Sequence, residues 1–340
     1  MGLKLSILDH SPINDAKSST EAFQHTIELA QKAEAWGYHR FWVTEHHSSD
    51  RLAGSSPEVL ISHLLAKTSR IRVGSGGVML QHYSPYKVAE NFNVLASLGP
   101  GRVDLGVGRG PGGMPQSTKA LKPIDGDAKP FPDKLIALDK FLRNRWEVDE
   151  SHPFHGLQAS PIPDQPADLY LLGTTTASAE LAASLGIPYV FALFLNSDEQ
   201  VMAESVDIYQ RQFDTEKGTQ PHTLLALPVM VADTDEEARE LASQVTVVRV
   251  RLESGRSYML GTVEAAENFG KQSEENYTIN VQQVIVMQGS PETVRKKLEE
   301  MQSRYHADEI IAVTAMSDFQ KRLYSFELLS EAFAQVTVSS

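Results

Sequence analysis

The sequence has 340 residues, of which 41% are hydrophobic, a formal net charge of −13 at pH 7 and no cysteine. The acidic charge argues against nucleic acid or an anionic membrane surface as a partner. The lack of cysteine excludes disulfides, thiolate metal sites and a cysteine nucleophile. The N-terminus turns polar too soon for a signal peptide, and the longest apolar run, 190–195, is far too short to span a membrane, so we expect a cytoplasmic protein.

Strand-like and helix-like patterns alternate from the start of the chain. The first four strands are predicted from short apolar runs at 3–8, 41–43, 71–80 and 102–107. Ser18 and Glu21 have the spacing of a capping box, and serine followed by proline at 56–57 and 84–85 predicts the starts of two further helices. A repeat of about 30 residues is the spacing of a βα unit.

The alternation continues, less regularly, to the end of the chain. Further strands are predicted at 168–172, 189–195, 224–231 and 309–314. Helices are predicted at 133–145, 177–185, 198–213, 235–248, 290–301 and 323–333. Eight strands in alternating βα order predict a single domain, 1–340, that forms a (β/α)8 TIM barrel, with an open doubly wound sheet as the alternative.

Two segments interrupt the alternation. Residues 110–132 are rich in glycine, proline and lysine, which indicates an insertion after strand four. Residues 251–283, near strand seven, contain Gly255, Gly261 and Gly270 and show no clear periodicity. Because a long aperiodic stretch in a compact domain is often a lid or a binding loop, we expect a lid at about 251–283.

Polar residues follow the predicted strands directly. Asp9 and His10 follow the first strand, and Glu45, His46 and His47 follow the second. In a barrel these strand ends converge on the face that carries the active site. Histidine changes charge near neutral pH, so it can take or give a proton there. The alternative is that the tripeptide only marks solvent at the end of a strand.

The sequence predicts no metal site. Glu45, His46 and His47 contain suitable ligand types, but neighbouring residues on a strand point to opposite faces and are poorly placed to share one ion. A phosphate-binding P-loop, a dinucleotide fingerprint and a nucleophile elbow are also absent from the sequence.

A phosphate-binding site is predicted from two neighbouring strand ends. Gly173 is followed by hydroxyl residues that open a helix, whose free N–H groups and positive dipole end favour an anion. Arg109 is a fixed cation between two glycines after strand four, suited to bidentate phosphate binding. Each feature has a simpler alternative, helix capping for the hydroxyl groups and a surface salt bridge for Arg109. The residues concerned are Gly108, Arg109, Gly110, Gly173, Thr174, Thr175 and Ser178.

The pair Gly76-Gly77 lies inside an apolar strand, where glycine is unfavourable. Close approach of a flat ligand to the backbone would account for it. So would an unusual peptide geometry, a bulge, or tight packing inside the barrel, and the sequence leaves these alternatives open.

These segments together resemble the luciferase-like flavin monooxygenase family, whose best-known member is bacterial luciferase. The resemblance runs over nearly the whole chain and depends on the order and spacing of several motifs. They are WVTEHH at 42–47, VGSGGV at 73–78, HYSP at 82–85, GRVDLGVGRG at 101–110, GTTTASAELAA at 173–183 and GSPETV at 289–294.

The resemblance implies a TIM barrel that binds reduced FMN at its C-terminal face and uses molecular oxygen as a co-substrate. A separate flavin reductase would supply FMNH2, and a flavin C4a-hydroperoxide would oxygenate a small organic substrate such as an aldehyde. Family members often form dimers, so a homodimer is expected.

The resemblance also implies residue roles. Arg109, Thr174, Thr175 and Ser178 match the phosphate site, which Gly108, Gly110 and Gly173 flank. Gly76-Gly77 matches the family's cis peptide under the isoalloxazine ring. His46 matches the base of luciferase, and Glu45 matches the carboxylate beside it, which makes Glu45 the expected partner of His46. His47 is then expected to be structural.

Two positions depart from luciferase. Gly108 replaces a reactive cysteine and Thr174 replaces a glutamate, and the missing cysteine argues against light emission as the purpose of this protein. The alternatives are an F420-dependent hydride-transfer oxidoreductase of the same superfamily and a flavin-binding protein without turnover. A barrel lyase or aldolase is disfavoured because no lysine stands at a strand end. The substrate itself cannot be named from the sequence.

Overall fold

The computed structural model of the chain describes residues 3–13, 16–121, 129–145, 150–283 and 285–334. The strands are β1 (Lys4–Asp9), β2 (Arg40–Val43), β3 (Arg72–Met79), β4 (Val103–Gly108), β5 (Asp168–Gly173), β6 (Tyr189–Ala192), β7 (Thr223–Val231), β8 (Thr246–Leu252), β9 (Ser257–Leu260), β10 (Tyr277–Gln283), β11 (Met287–Gly289) and β12 (Glu309–Val313). The α-helices are α1 (Ser19–Ala35), α2 (Pro57–Lys67), α3 (Pro85–Leu98), α4 (Pro115–Leu121), α5 (Phe131–Leu142), α6 (Thr176–Leu185), α7 (Glu199–Gln212), α8 (Asp235–Ser243), α9 (Val263–Ser273), α10 (Pro291–Tyr305) and α11 (Phe319–Ala334).

Eight of these strands form a closed parallel barrel. Strands β1 to β7 pair in sequence order, β12 pairs with β7, and β12 also pairs with β1. The ring of pairings has no free edge, which excludes the open sheet and confirms the predicted (β/α)8 TIM barrel. Large apolar side chains between the strands and the surrounding helices form the main hydrophobic core.

Helices α1, α2 and α3 begin where the sequence predicts, but not all of the predicted capping hydrogen bonds form. The hydroxyl of Ser18 accepts the backbone N–H of Glu21, as a cap should. Pro57 and Pro85 begin α2 and α3, but the preceding serines make no side-chain cap. In the part of the chain that the structure describes, no helix has both the length and the apolar character to cross a bilayer.

The segment between β7 and β12 differs from its prediction. The predicted helix 235–248 is wrong beyond Ser243, because Thr246–Leu252 forms a strand. Val248, Val250 and Leu252 alternate as buried residues, which is the period of a strand and not of a helix. The segment expected to be aperiodic therefore contains an antiparallel sheet, in the order β10-β8-β9, with α9 packed against it.

This insertion (residues 246–283) contacts loops that follow other barrel strands. Nη1 of Arg51, in the segment after β2, donates to the carbonyl of Gly261 at 3.1 Å. Met114, in the segment after β4, packs against the insertion's own apolar core. The insertion after strand four includes α4, and its residues 122–128 lie outside the described ranges. Both insertions are thus at the C-terminal face of the barrel.

Ion pairs fill the opposite, N-terminal end of the barrel. Nε of the buried Arg40 donates to Oε1 of Glu309 at 2.7 Å, and its Nη1 donates to Oδ2 of Asp104 at 2.9 Å. The same Nη1 donates to the hydroxyl of Tyr170 at 2.8 Å. The two carboxylates raise the pKa of Arg40 and outweigh its burial, so the guanidinium stays charged.

An apolar layer lies above this network. Its buried members are Leu8, Trp42, Tyr170, Val190, Leu224, Ala226, Ile311 and Val313. Nε1 of Trp42 donates to Oδ2 of Asp104 at 2.9 Å, which links the apolar layer to the ion pairs below it. The barrel interior is therefore packed from its N-terminal end up to this layer.

We predict that replacing Arg40 destabilises the whole barrel. In Arg40→Met, Asp104 and Glu309 lose their shared cation while both stay buried, and breaking such a pair costs about 3–5 kcal/mol. Urea denaturation followed by circular dichroism should show a clearly lowered midpoint. The control Lys296→Met removes the exposed pair with Glu292 and should leave the midpoint unchanged. An unchanged midpoint in Arg40→Met would contradict the role given to this network.

Candidate active site

His10 and His46 meet at the mouth of the barrel. In the pairing of β1 with β2, Leu8 lies beside Trp42, and continuing this register places His10 beside Thr44. Nδ1 of His10 lies 3.1 Å from Oγ1 of Thr44 and 3.3 Å from Nε2 of His46. The two imidazole rings are tilted by 50°, with centroids 5.5 Å apart.

The surroundings of His46 keep its imidazole neutral. Burial, with smaller contributions from the neighbouring His10 and His47 as potential like charges, lowers the pKa of His46 to about 3. Burial also lowers the pKa of His10, against the opposite effect of Asp9. At neutral pH both rings are therefore uncharged.

Glu45 lies with His47 and not with His46, which corrects the predicted partnership. Its Oε1 accepts from Nε2 of His47 at 2.7 Å and from the hydroxyl of Tyr83 at 2.8 Å. Its Oε2 accepts the backbone N–H of Met79 at 3.0 Å. Burial and the Glu45 carboxylate both raise the pKa of Tyr83. Glu45 points away from His46, and its bond to Met79 connects the loop after β2 to the end of β3.

The peptide bond between Gly76 and Gly77 is cis, at a point where β3 shifts its register against β4. A Cβ on Gly76 would lie 2.6 Å from Cδ1 of Leu8, and one on Gly77 would lie 2.8 Å from the carbonyl oxygen of Gly106. Three of the alternatives from the sequence are therefore present together: an unusual peptide, a bulge and tight packing. Only glycine fits at these positions.

The end of β4 has open space beside Gly108 and an exposed cation, Arg109. A Cβ on the buried Gly108 would meet no atom within 4 Å. The Arg109 side chain is exposed, and among the residues that the structure describes it has no hydrogen-bond or ion-pair partner. The predicted alternative of a surface salt bridge is therefore not formed within those residues. Gly110 follows, and its carbonyl accepts from Nε2 of Gln81 at 2.8 Å.

The start of α6 lies at the end of β5, the neighbour of β4 in the barrel. Thr175 is the N-cap and accepts the backbone N–H of Ser178, whose hydroxyl donates to the Thr175 carbonyl at 2.6 Å. These two hydroxyls are thus used within the cap. A Cβ on Gly173 would overlap the hydroxyl of Ser178, so glycine is required. Thr174 is half-buried, and its carbonyl accepts from Nδ2 of Asn196 at 2.9 Å.

The predicted residues therefore form two groups at one end of the barrel. Arg109 and the start of α6 lie at the adjacent ends of β4 and β5, and the histidines lie at the ends of β1 and β2. His10, which follows β1 but is not among the predicted site residues, joins the site because the register of β1 and β2 places it beside Thr44. In the described part of the chain, no group of three histidine or acidic side chains could hold a metal ion.

Comparison with known proteins identifies the family. The sequence profile described as luciferase-like monooxygenase matches residues 3–307. The N-acetyl-S-alkylcysteine monooxygenase of Bacillus subtilis strain 168 is 41% identical over 337 residues, which cover 97% of this chain and 98% of that protein. The crystal structure of apo-MsnO8 has 33% identity and a TM-score of 0.76, covering 98% of both chains.

More distant proteins show which cofactors occur on this fold. The oxygenating constituent of 3,6-diketocamphane monooxygenase from Pseudomonas putida, solved with FMN, has 19% identity, a TM-score of 0.70 and coverage of 98% of both chains. An F420-dependent secondary alcohol dehydrogenase with an F420-acetone adduct has 16% identity, a TM-score of 0.64, and coverage of 98% of this chain and 99% of that one.

An oxygenase component also occurs among the relatives. The flavin-dependent trigonelline monooxygenase, oxygenase component, of Acinetobacter baylyi is 25% identical over 257 residues, which cover 72% of this chain and 69% of that protein. The extent of the family match and the identity to the nearer relatives confirm the resemblance seen in the sequence. This chain belongs to the luciferase-like monooxygenase family, and it is an oxidoreductase that acts with incorporation of molecular oxygen.

Proposed function

We propose that this protein is an FMNH2-dependent monooxygenase that uses oxygen to oxygenate a small organic substrate. A separate flavin reductase would supply the reduced cofactor, as the name of the Acinetobacter oxygenase component suggests for that protein. Reduced FMN, when bound, supplies the electrons that activate oxygen. The protein has to bind the cofactor, exclude water and move a proton.

The arrangement around Arg109 carries this proposal. Its guanidinium has no partner among the described residues, beside the open space at Gly108 and the N-terminus of α6 on the next strand. A cation beside free helix N–H groups is a phosphate site, and a flavin mononucleotide brings one phosphate. The N–H groups and Arg109 would hold it, with Thr174 at its edge, while Thr175 and Ser178 keep the helix start in shape.

FMN is preferred over F420 because of the relatives. The nearer relative, at 41% identity, is named a monooxygenase, whereas the F420-dependent dehydrogenase has 16% identity and shares the fold alone. A flavin-binding protein without turnover is disfavoured by the two neutral imidazoles at the mouth, which such a protein would not need.

His46 is the proposed proton carrier of the reaction. Its imidazole is neutral at pH 7, because burial lowers its pKa to about 3, so one ring nitrogen is unprotonated and available to a bound substrate. Glu45 has a positioning role in this proposal. It holds the backbone of Met79, two residues after the glycine pair, and thereby keeps the end of β3 in place.

The insertion at 246–283 is the proposed lid. Its hydrogen bonds with the loops after β2 and β4 include the 3.1 Å bond from Arg51 to Gly261, and Met114 adds an apolar contact. Surface contacts of this kind can open and close. Because the Bacillus relative is named for N-acetyl-S-alkylcysteines, these thioethers are the first substrates to test, followed by aldehydes.

The proposed function is tested by substrate-dependent oxygen consumption with FMN and a flavin reductase. We expect uptake above the free-flavin background for wild type, and about 100-fold lower turnover for His46→Ala with FMN binding unchanged. His63→Ala, at an exposed position of α2, is the matched control and should behave as wild type. If wild type with F420 instead reduces a substrate without oxygen, the hydride-transfer alternative is correct. Unchanged turnover in His46→Ala would remove His46 from the mechanism.

Arg109→Ala should weaken FMN binding. A charged hydrogen bond to phosphate is worth about 1.5–3 kcal/mol, so the dissociation constant should rise roughly 10- to 100-fold. Fluorescence titration with FMN measures this change. Arg211→Ala, on the exposed side of α7, removes an arginine far from the site and is the matched control. Equal affinity in Arg109→Ala and wild type would exclude the phosphate assignment.

We further propose a homodimer formed through α2 and α3. Val59 is 67% exposed on α2, and Leu98 and Val94 are 63% and 44% exposed on α3, which leaves large apolar side chains uncovered on neighbouring helices. The double variant Val59→Lys/Leu98→Lys should sediment as a monomer, because two buried lysines per protomer would oppose association. Val263→Lys, at a 45% exposed valine on α9, should still sediment as a dimer. A wild-type protein that sediments as a monomer would contradict this proposal.

A further inference from the structure

The partner of His46 is another imidazole, and this pairing suggests how a proton leaves the site. Nδ1 of His10 lies 3.3 Å from Nε2 of His46, within hydrogen-bond distance. We propose that His10 and His46 form a two-imidazole proton relay, in which His10 passes on the proton that His46 accepts. This inference rests on the proposed monooxygenase function and adds a second residue to its proton transfer.

Backbone hydrogen bonds anchor the two loops that carry these rings. The N–H of His46 donates to the carbonyl of Gly54 at 2.7 Å, which anchors the loop after β2. The same loop is anchored to the one after β1, because the N–H of Ala53 donates to the carbonyl of Ser11 at 2.9 Å and Pro12 bridges to Leu52. The contact between the imidazoles therefore does not depend on flexible side chains alone.

The outer nitrogens of the pair are free to exchange protons. In the part of the chain that the structure describes, no group bonds to Nδ1 of His46 or to Nε2 of His10. Phe194, after β6, packs edge-on to His10 with centroids 5.7 Å apart and gives it an apolar wall. A proton can therefore enter the pair at one outer nitrogen and leave at the other.

The proton balance of the relay follows from neutral imidazole chemistry. Each neutral ring carries one N–H, and the other ring nitrogen accepts. When Nδ1 of His46 accepts a proton, its Nε2–H moves to Nδ1 of His10, and the N–H at Nε2 of His10 is released to water. One proton enters and one leaves, both rings end neutral, and only their tautomers have changed.

The surroundings of the two rings favour their neutral forms, which the relay requires. Burial lowers the pKa of both rings, so a lasting imidazolium is unfavourable in this place. Asp9 raises the pKa of His10 and the buried Arg322 on α11 lowers it, while His47 lowers that of His46. The carboxylate of Glu45, the residue before His46, is bonded to His47 and does not compete with His10 for the proton on His46.

Two variants separate the relay from a scaffold role for His10. Gln can still donate to His46 or Thr44 but cannot change tautomer, whereas Phe can do neither. The relay predicts that His10→Gln and His10→Phe both lower turnover about 100-fold with KM for substrate unchanged. A scaffold role predicts that His10→Gln retains wild-type turnover, which would overturn the relay.

The number of protons that move in the rate-limiting step gives a second test, through the solvent isotope effect on the rate. In mixtures of H2O and D2O, the wild-type rate should fall along a curve, because two protons move together, and the rate of His10→Gln should fall along a straight line. Free imidazole should restore turnover to His10→Gly. His63→Gln, at an exposed histidine, is the matched control and should keep the wild-type curve. A straight line for wild type would overturn the relay.

A measurement on the flavin-free protein keeps the relay separate from the proposed function. With histidine labelled by 15N, NMR should show a proton coupled to Nδ1 of His10 and to Nε2 of His46, and His10→Phe should remove this signal and shift the His46 nitrogens. A missing shared proton in the folded wild type overturns the relay, whatever the enzyme does. A shared proton without any substrate-dependent oxygen uptake would instead contradict the monooxygenase proposal.

Discussion

The buried guanidinium of Arg40 is the interaction on which the barrel depends. It binds side chains of β4, β5 and β12, so one residue of β2 connects strands that are far apart around the ring and along the chain. Ser6 on β1 adds a bond to Glu309, and Arg72 on β3 adds bonds to Asp104. Burying these charges is tolerable only because nearly every one is paired, and the pairing in turn fixes how the strands meet.

The two ends of the barrel differ in their charged groups, although each holds a buried ion pair, since Nη1 of Arg322 lies 3.8 Å from Oδ1 of Asp9 near the mouth. At the N-terminal end the arginines are buried against carboxylates, and the apolar layer around Trp42 closes the interior above them. At the C-terminal mouth Arg109 has no partner within the described residues, and His10 and His46 are held neutral by burial. Groups with strongly shifted pKa values concentrate at functional sites, so the two neutral imidazoles favour this end as the place of chemistry.

Much of the fold follows from the sequence because its signals are local. Buried strands of the barrel are short apolar runs, and Pro57 and Pro85 mark helix starts wherever the chain goes next. The insertion after α8 was harder to predict, because valines at 245, 247 and 248 suit a helix face as well as a strand. Its own small core around Phe269, which includes Met114 from another loop, decides in favour of a sheet.

The sequence by itself determined which residues lie at the strand ends, since strand order and the βα repeat bring Glu45, His46 and Arg109 to one face. Only the tertiary structure decided their partners. Sequence neighbours point in different directions, so Glu45 turned toward Tyr83 and His47, and the register of β1 against β2 brought His10 to His46. Hydrogen-bond partners are set by where separate loops meet in space, and no local pattern of residues encodes that meeting.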